Sequence, residues 1–69
     1  MSRRKVMTLN LTASEMALLE RLARGKELSK TALLRQALRL LEVVEGRTSA
    51  GERLVFVAED GRRSELVVI

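Results

Sequence analysis

Hydroxyls, amides, carboxylates and cations are the only polar side-chain chemistry on offer, because the 69 residues include neither cysteine nor histidine. Without a thiol or imidazole there is no disulfide framework, no Cys/His zinc site, and no base to activate Ser14, Ser29 or Ser64. No carboxylate cluster has metal-ligand spacing and no Gly-rich phosphate loop is present, so neither an enzyme, a metal site nor a cofactor is expected. What remains is charge directed at an anion. Residues 1–41 carry Arg3, Arg4, Lys5, Arg21, Arg24, Lys26, Lys30, Arg35 and Arg39 against Glu15, Glu20 and Glu27, whereas residues 42–69 carry six acids and four arginines. The first part is therefore built to meet a polyanion and the second is not. A sharper anion site stands at Ser29-Lys30-Thr31, the start of a predicted helix whose first turn lacks any acid. Free N–H groups and the helix dipole favour an anion there, and Lys30 adds its charge.

The elements that must position these groups follow from periodicity. Residues from Arg4 to Leu11 alternate, with Met7, Leu9 and Leu11 on one face and Val6, Thr8 and Asn10 on the other, which predicts a half-buried strand. Thr12 and Glu15 make a capping box, with Leu11 and Met16 as its staple, and Met16, Leu19, Leu22 and Ala23 recur at helical spacing. A first helix is predicted over 13–24, with Gly25 as a left-handed C-cap. Ser29 caps a second helix, with Leu28 and Leu33 as its staple, and Gly46 ends it. Its stripe of Leu33, Leu34, Ala37, Leu38, Leu40, Leu41, Val43 and Val44 is too wide for one short helix to cover, which points to a subunit interface.

Small polar residues at 46–52 read as a linker. Leu54 to Ala58 and Leu66 to Ile69 then flank Asp60-Gly61, the signal of a two-residue type I′ hairpin. That turn sets Val57 opposite Ser64 and Val55 opposite Leu66 on one face, with Phe56 opposite Glu65 and Leu54 opposite Val67 on the other. Both faces would then be apolar, and something must cover them.

Composition sets the wider frame. A chain 46% hydrophobic and 32% charged is too apolar for disorder, while its longest apolar run, Leu54 to Ala58, is too short for a membrane span. The Met-Ser-Arg-Arg-Lys start lacks the apolar stretch of a secretory signal, so a cytoplasmic protein without membrane contact is expected. Phe56 is the lone aromatic, which argues against stacking platforms for single-stranded nucleic acid. A core this small rarely suffices alone, so oligomerisation is expected. The amino-terminal strand has no partner within its own chain and needs the same strand of a second copy across a two-fold axis.

Lys5-Val-Met-Thr-Leu-Asn-Leu-Thr12, the apolar spacing of Met16 to Ala23, and Gly25 to Leu38, in this order, closely resemble the ribbon-helix-helix DNA-binding repressors of the Arc, MetJ and CopG type, from Arg3 to about Val44. The resemblance implies an intertwined homodimer; with the carboxy-terminal β-hairpin read from the Asp60-Gly61 turn added to it, the expected fold is α+β. Residues 1–45 would be the DNA-binding domain, 46–52 a linker, and 53–69 a hairpin for oligomerisation or partner contact. Its core would include Met7, Leu9, Leu11, Leu34, Ala37, Leu38 and Leu41. The outward ribbon positions, Val6, Thr8 and Asn10, would read bases in the major groove, with Arg4 continuing that face. Asn10 suits adenine, Thr8 either a donor or an acceptor, and Val6 a thymine methyl. In this family a long basic or amide side chain often holds the position of Val6, which here suits an apolar contact instead of a hydrogen bond. Ser29, Lys30 and Thr31 would grip phosphate, flanked by Arg3 and Lys5. The expected function is sequence-specific double-stranded DNA binding by a repressor or autorepressor, on inverted half-sites and with more than one dimer on the DNA. The alternative is an antitoxin whose hairpin, within residues 53–69, binds a toxin protein.

Overall fold

A computed structural model describes residues 4–67, so Arg3 and the last two residues, Val68 and Ile69, lie outside the described residues. The order is α1 (Ala13–Gly25), α2 (Lys30–Ser49), β1 (Leu54–Val57) and β2 (Arg63–Leu66). Two helices and a two-stranded antiparallel sheet make the chain α+β, as expected. It divides into two compact units, with the boundary between Leu33 and Leu34 inside α2.

Local chemistry starts α1 as anticipated. The Thr12 N–H donates to Glu15 Oε1 at 2.8 Å and the Glu15 N–H donates to Thr12 Oγ1 at 3.1 Å, which completes the capping box. Hydrogen bonding from the Thr12 backbone N–H, which contributes most, and from the Thr12 side chain holds the Glu15 carboxyl below the usual glutamate range.

The end of α1 differs from expectation. Gly25 is its last helical residue, and the left-handed position falls on Glu27, with φ of +54°. The Leu28 N–H donates to the Ala23 carbonyl at 2.8 Å and the Glu27 N–H to the Arg24 carbonyl at 3.1 Å, a Schellman pattern. Leu28 packs on the cluster of Leu19, Ala23 and Leu33. That apolar contact places the reversal immediately before Leu28 and imposes the left-handed geometry on a glutamate.

Ser29 caps α2 as read, its Oγ accepting from the Ala32 N–H at 3.0 Å. Gly46 does not end the helix, which continues to Ser49 through half of the expected linker. Gly51 supplies the left-handed residue instead, with φ of +91°. Its N–H donates to the Thr48 carbonyl at 3.0 Å, and the Glu52 N–H reaches the Arg47 carbonyl at 3.1 Å. The Arg47 guanidinium also pairs with the Glu52 carboxylate, which depresses the Glu52 pKa and locks this later stop from outside.

The hairpin register also departs from expectation by one residue. Leu54 faces Leu66, Val55 faces Glu65, Phe56 faces Ser64 and Val57 faces Arg63. Its loop has three residues, Glu59-Asp60-Gly61, closed by the Ala58 N–H on the Arg62 carbonyl at 2.7 Å. A type I′ turn needs positive φ at both central residues, but only Gly61 has it, at +89°. Asp60 instead accepts the Arg62 N–H on Oδ1 at 3.0 Å, an Asx-type contact that favours the longer loop. The shift sorts the faces: Leu54, Phe56 and Leu66 share one with Ser64, and Val55 and Val57 share the other with Arg63 and Glu65.

Burial is sparse. Among the described residues, Leu19, Ala23 and Leu33 are the buried ones, with Leu11 and Leu28 packed against them, so the Leu28 and Leu33 staple pair lies in one cluster. Residues 4–11 form no regular element, where a half-buried strand was expected. Among the described residues none pairs with this segment to supply the ladder partner that such a strand needs.

Candidate nucleic-acid interface

The amino-terminal segment presents its side chains without cover. Arg4, Lys5, Thr8 and Asn10 are exposed, as are Val6 at 98%, Met7 at 82% and Leu9 at 51%. Both alternating sets are therefore open in one chain, and only Leu11, at the end of the segment, rests on its own core. Of the other residues expected to pack between subunits, Leu34, Ala37, Leu38 and Leu41 are likewise exposed.

The start of α2 brings Ser29, Lys30 and Thr31 together on one turn. Ser29 Oγ is occupied by the Ala32 N–H, and the first intrahelical bond runs from the Leu33 N–H to the Ser29 carbonyl at 2.9 Å. The N–H groups of Lys30 and Thr31 have no acceptor among the described residues, as helix geometry dictates for the first turn. The Lys30 Nζ lies 3.3 Å from Glu20 Oε2, with both side chains about half exposed. Sequence reading missed this pair because its members sit ten positions apart on different helices, and only the turn between them brings them close.

Charge is organised differently along the chain. Arg47, Arg53 and Arg62 pair with Glu52, Glu65 and Asp60, so the cations beyond position 41 are mostly compensated within their own segment. Among the described residues, Arg4, Lys5, Arg21, Arg24, Lys26, Arg35 and Arg39 have no carboxylate within ion-pair distance. Arg63 likewise has none among the described residues, so most of the uncompensated positive charge, seven cations against this one, lies in residues 4–39. Among the described residues no group of three or more metal-ligating side chains gathers.

Residues 5–43, which hold the exposed amino-terminal segment, α1 and most of α2, match a protein-family model described as ribbon-helix-helix protein, copG family. The chain belongs to the ribbon-helix-helix family. Proteins of this family are DNA-binding regulators and generally bind DNA as dimers. The ribbon-helix-helix match ends at Val43, so the last turns of α2 and the whole hairpin lie beyond it. Searches of curated proteins and of solved structures each found no match. No helix among the described residues is long and apolar enough to cross a membrane.

Proposed function

We propose that this ribbon-helix-helix protein is a homodimeric transcriptional repressor that reads the major groove with a ribbon made of residues 4–11 from two copies. The observation that carries the reading is the exposure of Met7 and Leu9 together with Leu34, Leu38 and Leu41, beside a segment whose backbone lacks a ladder partner. Pairing two such segments antiparallel satisfies their N–H and C=O groups and turns Met7, Leu9 and Leu11 toward the helices. The same pairing turns Val6, Thr8 and Asn10 from each chain outward on a two-stranded surface that fits the major groove.

In this mechanism Asn10 donates to and accepts from adenine, Thr8 hydrogen-bonds a neighbouring base edge, and Val6 contacts a thymine methyl. Arg4 extends the reading face. The free N–H groups of Lys30 and Thr31, with the Lys30 ammonium, hold a backbone phosphate and fix the register, while Ser29 shapes the helix start. Lys5 and Arg3 add sequence-independent attraction. Two-fold symmetry in the protein requires inverted half-sites in the operator, and a bound protein there excludes polymerase.

Selection of bound fragments from a random double-stranded DNA pool tests the reading. An inverted repeat is expected to emerge, with Asn10→Ala or Thr8→Ala losing roughly 1–3 kcal/mol of discrimination at one base pair per half-site. Binding without enrichment of any sequence, or unchanged preference in both variants, refutes base reading by the ribbon.

A further inference from the structure

The sheet of the hairpin stops at two strands, so β2 has an outer edge with no neighbour among the described residues, and all four of its residues are exposed. The groups that this edge offers follow from the turn. The Ala58 N–H donates to the Arg62 carbonyl, so that pair is hydrogen-bonded, and successive antiparallel pairs alternate between bonded and non-bonded. Phe56 and Ser64 are then bonded to each other. Arg63 and Glu65 sit in non-bonded pairs with Val57 and Val55 and turn their own N–H and C=O groups outward. An open edge of this kind is a template for a further strand, and a hairpin alone is marginal in water. We propose that β2 pairs antiparallel with β2 of a second copy, in a register centred on Ser64, joining two hairpins into a four-stranded sheet.

Charge selects both the occupant and the register. A strand added to this edge must bond through Arg63 and Glu65, and when that strand is β2 itself the symmetric registers are centred on Arg63, on Glu65 or on Ser64. The first sets two guanidinium groups opposite each other and the second two carboxylates, and like charges directly opposite are destabilising. Centred on Ser64, Arg63 of each copy faces Glu65 of the other, and both positions form bonded pairs. Arg63 is the cation beyond position 41 that has no carboxylate within ion-pair distance among the described residues. Glu65 is approached by Arg53 on Oε1 at 3.5 Å, and Oε2 is left to accept from a second guanidinium. A second copy thus supplies the counter-charge that the chain itself does not. The opposite edge lacks this device: β1 would pair with itself through Val55 and Val57, with no charge to fix a register, and its first two residues are already half-buried.

The cysteine-free sequence makes the register measurable. Across the two-fold axis Ser64 meets its own copy in a non-bonded pair, with Cα atoms about 4.5 Å apart, inside the range of about 4.4–6.8 Å that a disulfide spans. Phe56 lies opposite Ser64 in the same chain, and the same pairing keeps it about 14 Å from its own copy, across three strand spacings. Full-length Ser64→Cys, mildly oxidised without DNA, is therefore expected to form a disulfide-linked dimer about tenfold more than Phe56→Cys. A second measurement reads the charges. With Ser64→Cys present, Arg63→Glu makes the edge wholly acidic and Glu65→Arg makes it wholly basic, so each variant alone is expected to lose most of its linking. Mixed, the two are expected to link to each other about as well as Ser64→Cys does alone, because every facing pair is again of opposite sign. Equal linking by Phe56→Cys, or charge variants that link alike alone and mixed, overturns the proposal. No DNA is present, so either result stands apart from how residues 4–11 read bases.

Discussion

Replacing Glu20 by glutamine is expected to tighten DNA binding, although Glu20 is not one of the residues assigned to DNA contact. In the free protein Glu20 Oε2 holds the Lys30 ammonium at 3.3 Å, with each side chain about half exposed. Exposed ion pairs of this kind contribute roughly 0.2–1 kcal/mol. A phosphate reaching Lys30 must share or displace Glu20, and the carboxylate repels that phosphate as well. The glutamine variant removes both costs, a gain of up to about 1 kcal/mol per chain. That corresponds to about fivefold for one chain and about thirtyfold for a dimer using both sites. Lys30→Ala should act in the opposite sense, weakening all sequences alike and lowering the slope of log affinity against log salt by about 0.9 per lost phosphate contact. Fluorescence anisotropy of a labelled operator duplex, between about 50 and 200 mM salt, measures both quantities. If Glu20→Gln leaves affinity unchanged while Lys30→Ala leaves the slope unchanged, the start of α2 does not hold phosphate and the argument fails.

Three further perturbations bear on the scaffold. Glu27→Gly should stabilise by about 1 kcal/mol, because glycine adopts the left-handed position at φ of +54° without steric cost, raising the melting temperature by about 4–8 °C at fixed protein concentration. Gly46→Ala should stabilise by roughly 0.5–1 kcal/mol in chemical denaturation, since Gly46 is helical and an added Cβ meets nothing within 4 Å; destabilisation would show that another copy approaches Gly46 closely. Acid should loosen the start of α1: Glu15 has a depressed pKa, so its contribution is complete above the ordinary glutamate value and is lost as pH falls through the lower folded one. Glu15→Gln keeps the capping hydrogen bonds but does not titrate, so melting temperatures measured from about pH 6 to pH 3 should fall less steeply in that variant.

Sequence alone determined what depends on neighbours three or four residues apart. The Thr12 and Glu15 capping box and the Ser29 cap were legible because donor and acceptor are fixed by local spacing, and both are present. The family was legible because alternation, caps and apolar periodicity occur in a particular order over residues 5–43. Tertiary structure decided where the backbone reverses. Glycine permits a left-handed residue but does not demand one, so Leu28 packing on Ala23 passed over Gly25, and the Arg47 and Glu52 clamp passed over Gly46 in favour of Gly51. The hairpin register turned on whether Asp60 took positive φ or used its carboxylate to accept the Arg62 N–H, a choice between two turns that the same residues allow. The Lys30 and Glu20 pair needed two helices brought together, which no local rule encodes. Caps are short-range hydrogen bonds, while reversals, registers and ion pairs are set by which distant surfaces meet.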